Sequence, residues 1–185
     1  MSLAESPPTG LATYSFRRSA FDREREYVLF PDRIEVREGG FALFALPLGA
    51  IRKVRLRYDP SDTRAYYKCN ISATVGSIFL RHNSYKSFGE FEDRGPTYAT
   101  FVRTLLWRLA EYPGVRFRAG SIFNFILSIL LIPVLLGVGW WAYTAGAIAG
   151  ALIVLGVAAL CCWLLPRYRP RSFDPLSPPG NVLPG

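Results

Sequence analysis

From Ala119 to Pro166 the chain runs for 48 residues without a charged side chain. A hydrocarbon core of about 30 Å is spanned by about 20 apolar residues in a helix. The stretch is too long for one crossing and long enough for two. The expected arrangement is a first membrane helix over 119–143, a short turn around Tyr143, Thr144 and Ala145, and a second helix over 145–165. Pro133 falls inside the first, where membrane helices tolerate it because neighbouring groups satisfy the freed carbonyl. Trp140, Trp141 and Tyr143 gather at the far end, with Trp163 and Tyr168 at the near end, as interfacial aromatics do. Neither crossing holds Asp, Glu, Lys, Arg or His, which gives no support to a proton relay or an ion path.

The charge lies outside this stretch. Of the 22 Lys and Arg, 19 precede it, together with 13 of the 14 acids; Arg167, Arg169, Arg171 and Asp174 follow it. Both polar flanks are basic. Cytoplasmic flanks of membrane helices carry the excess of Lys and Arg, so two crossings with both termini cytoplasmic satisfy the pattern. The start of the chain lacks the basic residues and apolar run of a signal peptide, which points the same way. The three cysteines, Cys69, Cys161 and Cys162, form no CxxC or Cys/His framework and fit a reducing compartment.

Residues 1–13 are rich in Pro, Gly and Ser and are expected to be disordered. Beyond them the pattern is that of strands. Tyr27–Phe30 and Arg33–Arg37 read as a hairpin around Pro31 and Asp32, and Gly39-Gly40 as the next turn. Phe41–Pro47 and Ile51–Tyr58 are two further strands. In the latter, Val54, Leu56 and Tyr58 share one face, and Lys53, Arg55 and Arg57 the other. Residues 59–62 open a loop. Tyr66–Ala73 pairs with Ser77–Arg81, and Tyr85–Phe91 is a last short strand. From Pro96 the period becomes helical: Tyr98, Phe101, Val102, Leu105, Leu106, Leu109 and Tyr112 make one apolar stripe, which Pro113-Gly114 ends. The tail, 166–185, is Pro-rich and basic and is expected to be an extended, solvated end.

About seven strands followed by one amphipathic helix is the order of a pleckstrin-homology (PH) type fold. The run Phe44-Ala45-Leu46-Pro47-Leu48-Gly49-Ala50-Ile51-Arg52-Lys53-Val54 resembles the Pro-Leu-x-x-Ile-x-x-Val run of bacterial PH-like and GRAM-like domains. The resemblance covers roughly residues 14–116. It implies an α+β chain: an antiparallel PH-like β-barrel or sandwich with a C-terminal helix, followed by the membrane hairpin. Small membrane-anchored proteins of the bacterial inner membrane share this architecture.

The candidate binding residues are Arg52, Lys53, Arg55 and Arg57, crowded on one strand, with Arg64, Lys68, Arg81 and Lys86 nearby in sequence. In PH-like domains such residues often face anionic lipid headgroups, and an alternating charged face is also how an ordinary outer strand looks. Gly146 and Gly150 form a small-xxx-small pair suited to close helix packing, with Gly137 and Gly139 as counterparts on the first helix. No residue is singled out as catalytic, cofactor-binding or metal-ligating: His82 reads as a surface histidine, and the carboxylates show no metal or acid–base spacing. No nucleic-acid module accompanies the charge. The expectation is a non-enzymatic binding or scaffold protein whose partners are anionic lipid or another membrane protein. Its alternative is an accessory subunit of a membrane enzyme or transporter.

Overall fold

The computed structural model describes residues 10–59, 66–120, 122–180 and 182–184. The chain is mixed α+β and divides into two compact units, residues 1–118 with 173–185, and residues 119–172. The beginning of the expected disordered start and nearly all of the loop after Tyr58 lie outside the described residues.

In the first unit, β1 (Ala12–Phe16), β2 (Arg25–Leu29), β3 (Arg33–Glu38) and β4 (Phe41–Pro47) form an antiparallel meander in sequence order. Ala12 and Thr13, assigned to the disordered start from sequence, are strand residues paired with Leu29 and Val28. Gly39 and Gly40 make the β3–β4 turn at φ of 59° and 86°, a region open to glycine because it has no Cβ to clash. A 3-10 turn, Leu48–Ala50, leads into the second sheet. There β5 (Ile51–Asp59), β6 (Tyr66–Ala73) and β7 (Gly76–Arg81) pair in order, and β10 (Arg116–Ala119) lies on the other side of β5.

Where one last strand was expected, the chain makes a separate hairpin, β8 (Asn83–Ser87) and β9 (Glu90–Asp93), around Gly89. Nine strands precede α1 where about seven were expected, and with β10 and the short β11 (Arg171–Ser172) the described residues hold eleven. The sheets do not close into one barrel: β4 and β7 each end a sheet. The physical reason is that pairing between distant segments leaves no period in the sequence, whereas the alternation within each strand does.

The helix α1 (Gly95–Leu109) closes the core. Its Tyr98, Phe101, Val102, Leu105, Leu106 and Leu109 are all 0–1 % exposed, as the stripe requires. Tyr14, Leu29 and Ile34 of the first sheet and Val54, Leu56, Ile71 and Leu80 of the second are buried as well. Tyr14 stands edge-on to Tyr98 at 5.8 Å and tilted to Phe101 at 6.1 Å. Each such side chain contributes roughly 1.5–3 kcal/mol when fully buried.

The tail departs most from expectation. Val182 and Leu183 are buried, at 1 % and 3 % exposure. Pro184 packs so near α1 that a Cβ placed on Gly95 would lie 3.3 Å from it. Phe173 meets Phe117 of β10 with ring centroids 5.9 Å apart. The tail belongs to the same unit as the sheets, so the domain is 1–118 with 173–185 and not 14–116 alone.

The second unit is α2 (Ile122–Thr144) and α3 (Ile148–Tyr168). The segment Phe125–Thr144 of α2 is long and apolar enough to cross a membrane, and its side chains are almost wholly exposed within the chain. The apolar part of α3, Ile148–Trp163, is shorter. The helices begin at Ile122 and Ile148, later than the expected 119 and 145, because β10 uses the residues before the first and the turn holds Gly146.

Phe117 and Phe173 being in contact, the hairpin is an insertion whose ends meet. Joining Arg118 to Phe173 through a short Gly/Ser linker, with 119–172 removed, will give a soluble chain that unfolds cooperatively in urea. Residues 1–118 alone will be roughly 3 kcal/mol less stable, from the loss of the two buried aliphatic side chains of the tail. Equal stability of the two would show that the tail does not dock.

Candidate functional site

Alternation along β5 sends Val54 and Leu56 into the core, at 0 % exposure, and Lys53, Arg55 and Arg57 to the outer face. Ile51 pairs with Ala73 and Lys53 with Ser72, so Arg52 is the extra residue of a β-bulge and is exposed. The four sequence candidates are therefore together, three on one face and one beside it. Register then extends the face. Arg57 pairs with Lys68 and Lys68 with Arg81; Arg55 pairs with Asn70 and Asn70 with Phe79. Lys68 and Arg81, noted only as near in sequence, thus join it. Lys86 lies on β8, in another sheet, and Arg64 lies outside the described residues.

The contribution that sequence reasoning missed is β10. Its Arg116 and Arg118 were read as a membrane flank, yet they stand beside β5 as exposed strand residues. The signal was present in the alternation Arg116-Phe117-Arg118. Burial lowers the pKa of the Lys53 ammonium, and Arg55, Arg118, Arg57 and Arg116 lower it further by like-charge repulsion. In β5, β6, β7 and β10 the single acid is Asp59, at the end of β5.

The first sheet is arranged differently. On β3, Glu35 lies 2.8 Å from both Arg33 and Arg37, and Arg25 reaches Glu38 at 3.2 Å. The hydrogen bond from Arg37 holds Glu35 below the usual carboxylate range, with Arg33 acting in the same direction. One sheet neutralises its own surface; for Lys53, Arg55, Arg116 and Arg118 of the other there is no ion pair among the described residues. Neighbouring cations raise each other's energy, and an external phosphate or carboxylate relieves that cost.

Gly146 and Gly150 are not placed as a packing pair. Gly146 lies in the α2–α3 turn at φ 80°, which positive-φ freedom explains, and Gly150 has only Ala147 of its own helix at 4.0 Å. The close approach is at Gly139, where an added Cβ would meet Val154 at 3.5 Å and the Ala151 carbonyl at 3.9 Å.

His82 is not a surface histidine. It is 7 % exposed and edge-on to Tyr67 at 5.4 Å. Its Nδ1 accepts the Tyr67 backbone N–H at 3.1 Å, which places the proton of the neutral ring on Nε2, 3.8 Å from Asp93. The Tyr14 hydroxyl donates to the Arg81 carbonyl nearby. Cys69, wholly buried, has its thiol pushed up to about 12 by desolvation, and Tyr98 is raised by the same cause. These groups are held in their neutral forms. The cluster is a core with polar ends, and it offers no activated nucleophile.

A cleft of about 260 Å³ is lined by residues of β1 to β4, of the β1–β2 loop and of β7. Phe16, Tyr27, Val36, Phe44 and Ile78 line it, and Arg18, Arg23 and Arg25 stand at its rim. Against known protein families, curated proteins and solved structures, the chain gives no match.

His82 supplies a pH test. Burial lowers its pKa, Asp93 opposes that, and Arg81 adds to it. The unfolded chain takes up this proton near pH 6.5, the folded chain only at lower pH. Stability is therefore complete above pH 6.5 and falls as pH drops from there toward the folded value. In urea titrations between pH 7 and about 5, His82→Asn will show a shallower loss than the native chain. Parallel curves would mean that the folded ring titrates like the unfolded one.

Proposed function

We propose that this chain is a non-enzymatic, membrane-anchored binding protein: a PH-like domain that a two-helix hairpin holds against the anionic cytoplasmic leaflet of a bacterial inner membrane. The observation that carries the reading is the outer face of β5 and β10, where Lys53, Arg55, Arg116 and Arg118 stand together with no ion pair among the described residues. Juxtamembrane cations gain about 1 kcal/mol each near an anionic leaflet. Arg118 is four residues before α2, so chain length alone keeps this face near the headgroups. The order of elements, a four-strand meander, a second sheet and then a closing helix, supports the PH-like part of the reading.

Two crossings are supported by the composition of the first unit. Residues before 119 and after 172 fold together, so they share one side of any membrane that α2 enters. The number of crossings is then even. A reporter inserted at the α2–α3 turn, after Gly146, will be accessible from the side opposite to reporters placed at Gly10 and after Leu176. Access from the same side would remove the hairpin from the proposal.

The binding test uses the linker-joined soluble chain. Changing Arg52, Lys53, Arg55 and Arg57 together to Gln will weaken its partition onto phosphatidylglycerol vesicles by roughly a hundredfold or more. Raising the salt will weaken the native chain in the same direction, since the Debye length shrinks to about 3 Å at 1 M. Unchanged partition in the quadruple variant would leave the face a solvated surface only.

A further inference from the structure

Three phenylalanines of the first unit are almost fully in solvent: Phe21 at 100 %, Phe88 at 99 % and Phe41 at 80 % exposure. Phe21 and Phe88 sit on connections and Phe41 is the first residue of β4, and the registers bring the three to one end of the domain. Phe16 pairs with Arg25, Arg25 with Glu38, and Glu38 with Phe41, a single row across β1 to β4. Phe21 is in the loop just beyond this row, and Phe41 is the last residue of the row, about 14 Å from Phe16 at the usual strand spacing. Phe88 arrives beside them through β8. The Tyr14 hydroxyl meets Arg81, and three residues further on Arg17 hydrogen-bonds both Ser84 and Tyr85. The β8–β9 hairpin therefore advances in the direction of β1, and its Phe88 tip passes the same row.

This end continues the basic face. Phe79 lies on the outer side of the second sheet in the row Arg55–Asn70–Phe79, and the Arg18 guanidinium of the β1–β2 loop stands over the Phe79 ring at 5.7 Å. The acids Asp22, Glu24 and Glu90 near the tips each have a partner within the domain, and Glu24 and Glu90 stay exposed. Asp22 accepts from Ser19 at 2.6 Å, Glu24 is 2.6 Å from Arg94, and Glu90 accepts from Ser87 at 2.9 Å. Arg23, with 85 % of its side chain exposed and 3.9 Å from Glu38, and Arg18 stand at the lip. Single aromatic side chains that protrude from separate segments, backed by cations, suit a fluid interface in which rings settle at headgroup depth. A protein hot spot gathers its aromatics into one packed centre.

We infer that Phe21, Phe41 and Phe88 insert into the headgroup region of the leaflet that α2 enters, as an apolar lip on the basic face. This rests on the membrane-anchored reading above. The leaflet is the occupant because the chain leaves β10 at Ala119 and begins α2 at Ile122, which keeps that bilayer within reach at all times.

The test uses the full chain in nanodiscs of phosphatidylcholine and phosphatidylglycerol. Cys161 and Cys162 are changed to Ala; Cys69 is buried and unreactive, and stays. Phe21→Cys, Phe41→Cys and Phe88→Cys, each at a solvent-exposed position that folding does not need, receive an environment-sensitive nitrobenzoxadiazole label. Thr100→Cys, exposed on α1, serves as control. The expected result is blue-shifted emission at the three tips and about twofold or greater quenching by shallow doxyl-lipids, with the control unaffected. Quenching will persist at about 1 M salt, because the apolar contribution is not screened. Aqueous, unquenched labels at all three tips would overturn the inference. So would labels that change only when other membrane proteins are present, since the occupant would then be a protein. Tip quenching that survives the change of Arg52, Lys53, Arg55 and Arg57 to Gln, in a variant without anionic-lipid preference, confirms the lip. Loss of quenching with that preference intact refutes the lip and leaves the basic face standing.

Discussion

The apolar stripe of α1 is the interaction on which the first unit depends. The two sheets are open at the β4 and β7 edges, and neither could bury its inner face against the other alone. Tyr98, Phe101, Val102, Leu105, Leu106 and Leu109 fill the gap, and all are 0–1 % exposed. A helix with one apolar side would be closed by this contact alone. Here the tail also approaches the N-terminal end of α1, through Pro184 beside Gly95. The helix is thus held between elements from both ends of the sequence, and the domain is complete only after the chain has returned from the second unit.

The same alternation that builds the core produces the charged face. Along β5 every residue pointing inward is apolar and every residue pointing outward from Lys53 to Arg57 is cationic. Burial first, and then the neighbouring arginines of β5 and β10, lower the pKa of Lys53 on this strand. The first sheet shows what a self-sufficient surface looks like, with Glu35 between Arg33 and Arg37. Surface pairs of that kind contribute little, about 0–1 kcal/mol each, but they leave no net field. The second sheet keeps its field, and a field is useful where an anionic surface is near.

Local periodicity was legible in the sequence, and long-range association was not. Phe41–Pro47 and the α1 stripe were readable because a period of two or 3.6 is written in neighbouring residues. The β1 strand was hidden by the polar residues around it, and the β8–β9 hairpin by Gly89 and its acids. Arg116 and Arg118 were read only as basic flanks, because their place beside β5 depends on pairing across some sixty residues. The tail was misjudged for a related reason. Its prolines were read as excluding helix and sheet, yet α3 runs on to Tyr168, Arg171–Ser172 form β11, and Val182 and Leu183 are buried. Gly146 and Gly150 had helical spacing, but a positive φ at Gly146 took the first of them into the turn, and Gly139 supplies the close approach instead.

The division of the first unit also bears on the length of α3. Its apolar part, Ile148–Trp163, would span about 24 Å at 1.5 Å per residue, short of a core of about 30 Å. The whole helix, Ile148–Tyr168, reaches about 31 Å. In the proposed arrangement the last turn therefore lies within the leaflet that the domain faces, where flanking arginines can extend to the headgroups. Arg169 and Arg171 follow at once, and then Phe173, against Phe117. Little free chain separates the helix end from the docked tail.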